Sequence, residues 1–128
     1  MKIIIVDDSL LDRKLLAKSL VNLGVKNEIV QADNGEAGLT LIAENLGDIA
    51  LIFLDYQMPK MTGIEVMQGL VSVPSTSRLP IIMVTASSSD ESRQVAFGIN
   101  PGLAGYIIKP FKPDQLLAVI RPHVQFNA

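Results

Sequence analysis

The sequence is most informative first for what it lacks. It has no cysteine among its 128 residues, which excludes disulfides, cysteine-ligated zinc or iron–sulfur sites and thiol catalysis. It has a single histidine, His123, so no histidine cluster can bind a metal. There is no surplus of either charge: 11 Lys and Arg stand against 13 Asp and Glu, a net −2. That balance argues against a domain that lives on nucleic-acid phosphates or acidic membranes, both of which select a basic surplus. Long apolar runs are also missing. The longest, Ile49–Leu54, is far short of the roughly 20 residues of a membrane span. The amino-terminal stretch carries one Lys and passes directly into a strand-like run and acids, which is not the layout of a signal peptide. There is no low-complexity stretch, and only Ser72–Pro80 has linker character. The expectation is one cytoplasmic domain over residues 1–128.

What is present is apolar: 48% of the residues, too much for a disordered chain. Five short runs rich in Ile and Val punctuate the sequence: Ile3–Val6, Glu28–Ala32, Ile49–Leu54, Leu79–Val84 and Tyr106–Ile108. They are too short for helices and read as strands. Four are apolar on both faces, as in a parallel sheet covered on both sides. Segments of helical period lie between them, marked by Leu16, Leu20 and Leu23, by Ala37, Leu41 and Ile42, and by Leu116, Leu117 and Ile120. Ser9, Thr62 and Ser88 each precede an acid by three residues (Asp12, Glu65 and Glu91), the spacing of a capping box. Gly24 and Gly98 end or weaken helices, Pro113 suits a first turn and Pro122 ends the last helix. Lys112 is a poor N-cap, and Asn100-Pro101-Gly102 signals a turn. The pattern is an α/β fold, βα repeated five times in three layers.

In such a sheet the chemistry gathers at the carboxyl ends of the strands. Asp7 and Asp8 follow the first strand, Asp55 the third, Thr85, Ala86 and Ser87 the fourth, and Lys109-Pro110 the fifth. Two carboxylates about 4 Å apart repel by roughly 1 kcal/mol in water and about 4 kcal/mol at an effective dielectric of 20. Three together destabilise a fold unless a ligand offsets them. Oxygen ligands without His or Cys suit a hard ion, Mg²⁺ first. A lysine beside them balances a carboxylate or grips an anion. Each residue alone has an ordinary explanation, since Asp caps helices and ends strands. Their coincidence at the strand ends carries the argument. The loop Val6-Asp7-Asp8-Ser9 has no glycine and would repel phosphate, which disfavours nucleotide or flavin binding there. His123 lies in the last helical stretch, away from these ends, and reads as a surface residue.

Four stretches together resemble the receiver domains of two-component response regulators, in particular stand-alone chemotaxis-type receivers: Ile4-Ile5-Val6-Asp7-Asp8-Ser9, Leu54-Asp55-Tyr56-Gln57-Met58-Pro59 with Gly63, Val84-Thr85-Ala86, and Tyr106-Ile107-Ile108-Lys109-Pro110-Phe111. They occur in the family's order across the chain. The resemblance implies a doubly wound, flavodoxin-like parallel sheet with strand order 2-1-3-4-5. It implies that Asp55 is the phosphoacceptor, taking a phosphoryl group from a histidine kinase or histidine phosphotransfer protein. It implies Mg²⁺ held by Asp8, Asp55 and the Gln57 backbone carbonyl, with Asp7 acting through a water. Lys109, the Thr85 hydroxyl and the Ala86 N–H would face the phosphoryl oxygens. Thr85 and Tyr106 would form the switch, and Lys109–Pro110 would be cis. Such a protein catalyses only its own phosphorylation and dephosphorylation. It signals to a protein target through its fourth helix, fifth strand and fifth helix, without nucleic acid or membrane. Gln57 and Ser87 occupy positions that in the family tune hydrolysis. Departures from the family pattern are a longer stretch over Gln94–Gly105 and Leu103 where a small residue is usual. Two rival readings are a Mg²⁺-dependent phosphatase with an aspartyl nucleophile and a phosphorylation-independent binding module. The first lacks its second acid, because Gln57 stands there. The second does not account for the intact set Asp7, Asp8, Asp55, Thr85 and Lys109.

Overall fold

The computed structural model describes residues 1–87 and 89–126. Five strands alternate with five helices: β1 (Lys2–Val6), α1 (Leu10–Asn22), β2 (Ile29–Ala32), α2 (Gly35–Glu44), β3 (Ile49–Asp55), α3 (Gly63–Val71), β4 (Ile81–Thr85), α4 (Asp90–Ile99), β5 (Gly105–Ile108) and α5 (Pro113–Ile120). The strands form one parallel sheet in the order β2-β1-β3-β4-β5. The α/β fold class and the strand order expected from the resemblance are both found. No described helix is long and apolar enough to cross a membrane.

The alternation of side chains along each strand divides the core in two. On one face Ile3, Ile5, Leu51, Phe53, Ile82, Val84 and Ile107 pack under α1 and α5, meeting Leu16, Leu20, Leu116 and Ile120. On the other Ile4, Val6, Ile52, Leu54, Ile81, Met83 and Tyr106 pack under α2, α3 and α4, meeting Ile42, Val66, Met67, Leu70 and Ala96. Burying one Leu or Ile side chain is worth about 1.5–3 kcal/mol, so these two layers supply the stability of the sheet.

The helix ends follow local rules. Thr62 and Glu65 form a full capping box at α3: the Thr62 hydroxyl accepts from the Glu65 N–H at 3.2 Å, and the Glu65 carboxylate accepts from the Thr62 N–H at 3.1 Å. At α1 the Ser9 hydroxyl accepts from the Asp12 N–H at 3.2 Å. Gly24 has φ +89° and closes α1: its N–H bonds Val21 O, while the Val25 N–H bonds Leu20 O. That pairing is a Schellman end, and it is why a glycine stands there. Gly98 behaves differently, because α4 runs through it to Ile99. The chain then turns at Asn100, whose side-chain oxygen accepts from the Gly102 N–H at 3.1 Å, and Leu103 enters the core. The expected capping serine Ser88 lies outside the described residues; Ser89 caps α4, accepting from the Ser92 N–H. At α5 Lys112 offers no side-chain acceptor, and Gln115 accepts from its N–H at 2.9 Å. Ser72–Pro80 is no linker: the buried Thr76 hydroxyl donates to Leu70 O at 2.6 Å and ties that loop to α3. His123 also departs from expectation. Pro122 stops the helix, so His123 sits beyond α5 in a turn, half-buried, its N–H donating to Ile120 O.

Candidate functional site

Strand register brings the chemical residues level. Val6 pairs with Leu54, so Asp7 stands beside Asp55; Asp55 pairs with Val84, and Val84 with Ile107. Beyond the last pair, Thr85 with Ile108, the Lys109 N–H donates to Thr85 O at 2.8 Å. The Lys109–Pro110 peptide is cis. The two-residue alternation then assigns faces. Asp7, Asp55 and Lys109 continue the rows of Ile5, Phe53 and Ile107, on the α1/α5 side. Thr85 continues the row of Met83, on the same side as Tyr106.

One carboxylate oxygen from each of Asp7, Asp8 and Asp55 lies within 4.8 Å of the others. Asp7 and Asp55 are buried and Asp8 is exposed. Gly63 lets the start of α3 lie against the end of β3: its N–H donates to Tyr56 O at 2.9 Å, and a Cβ there would collide with the Asp55 carbonyl oxygen. Lys109 supplies the opposing charge. Its Nζ donates to Asp7 Oδ2 at 2.8 Å and to Asp12 Oδ2 at 2.7 Å, and lies 3.6 Å from Asp55 Oδ1. The other Asp7 oxygen accepts from the Ser9 N–H at 2.9 Å. Arg13 braces the corner, donating to Asp7 O and, at 3.1 Å, to Gln31 Oε1.

The electrostatics follow from this crowding. Burial pushes the Asp55 carboxyl up to about 7; the charges of Asp7 and Asp8 add to the rise and Lys109 opposes it. Burial alone would lower the Lys109 ammonium. Its hydrogen bonds to Asp12 and Asp7, with the nearby charges, outweigh that and hold it above the ordinary lysine range. An all-oxygen cluster carrying more negative charge than one ammonium balances fits a hard divalent cation with several waters.

On the opposite face Thr85 is buried, and its hydroxyl accepts from the Ser87 N–H at 3.1 Å. Met83 pairs with Tyr106, so Thr85 is the diagonal neighbour of Tyr106 on that face. The Tyr106 ring is turned inward and 8% exposed. Among the described residues its hydroxyl has no hydrogen-bond partner. The Arg93 guanidinium lies over the rings of Phe97 and Tyr106, at 5.3 and 5.6 Å from their centroids.

Residues 3–121 match the family of the response regulator receiver domain. The chain belongs to that family. The receiver is 31% identical over 116 residues to a chemotaxis protein CheY homolog of Campylobacter jejuni, covering 91% of this chain and 86% of that one. It is 34% identical over 111 residues to chemotaxis protein CheY-3 of Vibrio cholerae, covering 87% and 82%. Its fold is similar to the solved structure of chemotaxis protein CheY4 of Vibrio cholerae, with a TM-score of 0.81, 29% identity and 95% and 97% of the two chains covered. A receiver of this chemotaxis type is a phosphoacceptor signalling switch, and the phosphatase reading is not favoured.

Of the residues expected in the receiver site, Asp7, Asp8, Asp55 and Lys109 come together at one end of the sheet. Gln57 and Ala86 lie exposed in the loops that follow β3 and β4. Thr85 and Tyr106 adjoin on the opposite face. Asp12 was missed. Its spacing from Ser9 marks it as a capping residue, and its contact with Lys109 spans 97 positions.

Proposed function

We propose that Asp55 is the residue that accepts the phosphoryl group. The observation that carries this is the meeting of the Asp7, Asp8 and Asp55 oxygens within 4.8 Å, with Lys109 in ion-pair range. An Asp55 oxygen attacks the phosphorus of a donor phosphohistidine; the new P–O bond forms as the P–N bond breaks, and the imidazole leaves. The product is an acyl phosphate, energetic enough to be reversible. Phosphoryl transfer is mostly positioning and charge neutralisation, and Lys109 neutralises one side. Asp8, Asp55 and the Gln57 backbone carbonyl would hold Mg²⁺, with Asp7 acting through a water. That water-mediated role suits a residue whose two oxygens already accept from the Ser9 N–H and from Lys109. The bound ion supplies positive charge where the phosphoryl oxygens gather. The Thr85 hydroxyl and the Ala86 N–H take the remaining oxygens.

The signal then passes across the sheet. Drawing Thr85 toward Asp55 opens space next to Tyr106, and a coupling of about 1–3 kcal/mol is enough to shift its population. The surface read by a protein target is α4, β5 and α5, where Val95 and Ile108 are exposed. The donor is a histidine kinase or histidine phosphotransfer protein, neither nucleic acid nor membrane is a partner, and the setting is cytoplasmic. Residues 1–128 act as one receiver domain, whose only catalysis is its own phosphorylation and dephosphorylation. Acetyl phosphate tests the reading by intact mass. One phosphoryl group is expected on the parent with Mg²⁺, and none without the ion or on Asp55→Asn. Label on His123 or on a serine would overturn it. Mg²⁺ binding near 10⁻³ M in order of magnitude is expected, weakened strongly in Asp8→Ala.

A further inference from the structure

We infer that Asp12 is a positioning residue that holds Lys109 in a resting grip between two carboxylates and so limits how readily the ammonium reaches a group on Asp55. This rests on the proposed role of Asp55.

The capping geometry shows why Asp12 is free to do so. At α3 and α5 the residue three places after the cap folds back and accepts from the cap's N–H, through Glu65 and Gln115. At α1 the Ser9 N–H is already taken by Asp7 Oδ1. The Asp12 carboxylate is therefore released from the capping box and turns to Lys109 at 2.7 Å. Its backbone stays fixed, because the Asp12 N–H donates to the Ser9 hydroxyl.

Lys109 has three N–H donors. Asp12 and Asp7 take hydrogen bonds at 2.7 and 2.8 Å, while Asp55 lies at 3.6 Å, outside good hydrogen-bond range. A phosphoryl group on Asp55 must compete for the ammonium. Asp7 sits beside Asp55, so its bond survives a small shift of Lys109 toward the phosphoryl oxygens. Asp12 belongs to α1, outside the trio of acids, and its bond opposes that shift. Its side chain is 35% exposed, so the competition is partly screened and amounts to roughly threefold to fivefold in an equilibrium, the upper part of the range for exposed ion pairs.

The test is a double-mutant cycle read by beryllofluoride affinity in the presence of Mg²⁺, followed by amide NMR shifts so that weak binding is measured. Thermal denaturation and the NMR fingerprint establish that each variant is folded. Asp12→Asn should bind beryllofluoride about threefold to fivefold more tightly than the parent. In a Lys109→Ala background the same substitution should change nothing. Asp114→Asn, which removes an equal charge from an exposed site, should not reproduce the gain. An unchanged affinity in Asp12→Asn, an equal gain without Lys109, or an equal gain from Asp114→Asn overturns the inference while leaving Asp55 in its role. A parent that binds beryllofluoride no better than Asp55→Asn overturns the reading of Asp55, and the inference falls with it.

Discussion

The two ends of the sheet are built on opposite principles. At the amino end, charges and backbone groups are matched. Lys2 pairs with Asp48 at 2.7 Å, the Lys26 N–H bonds Gln125 O at 2.7 Å, and Asn27 joins Met1 O to the Gln125 N–H. Val25 and Phe126 bridge there and pack on the α1/α5 core. At the carboxyl end, Asp7, Asp12 and Asp55 converge on one lysine, and Asp8 crowds Asp7 and Asp55. The first end closes the fold, whereas the second keeps unbalanced charge at a cost in stability. The contrast teaches that stability and function can be read from different ends of the same strands, and substitutions should separate them.

Gly63→Ala should have the largest effect, because a Cβ collides with the backbone under Asp55. A loss of about 3 kcal/mol in urea unfolding is expected, together with weaker beryllofluoride binding. Unchanged stability would mean that the β3–α3 loop is looser than its contacts indicate. Lys109→Ala comes next. It strips the acids of their counter-charge and should cost about 2 kcal/mol at pH 8, less than a fully buried pair. Adding Asp55→Asn should restore part of that loss.

Asp55→Asn alone should stabilise the metal-free protein. The folded carboxyl titrates at about 7, above its ordinary value of 3.8. This group's contribution to stability is thus fully present below pH 4 and is lost as pH rises through 7. The gain in Tm over the parent should be larger at pH 8 than at pH 5, with chelator present. A gain independent of pH would assign the effect to packing. Lys2→Ala should matter least. Its ion pair with Asp48 lies at the surface, so Tm should hardly move and acetyl phosphate labelling should not change.

Much of this division was legible in the sequence. Strand pattern and the residues after each strand located Asp7, Asp8, Asp55, Thr85 and Lys109, since a parallel sheet places such residues at one end whatever the loops do. Contacts decided by three-dimensional closeness were not legible. Asp12 obeyed a local capping rule, and only the capture of the Ser9 N–H by Asp7 released it. Arg93 carried no signal of its stacking on Phe97 and Tyr106. Gly98 looked like a helix end, but unlike Gly24 it does not take a left-handed conformation, and the burial of Ala96 carries α4 past it. For Tyr106 an amphipathic side chain allowed either placement, and packing under α4 selected the inward one.

On the proposed function, a phosphoryl group on Asp55 acts through Thr85 on Tyr106 while the amino end stays still. Side-chain NMR of the Mg²⁺-loaded protein, with and without beryllofluoride, tests this directly. The Thr85 methyl and the Tyr106 ring should shift, and Val25 and Phe126 should not. A Tyr106 ring with the same environment in both states, or shifts of equal size at Val25 and Phe126, would contradict it.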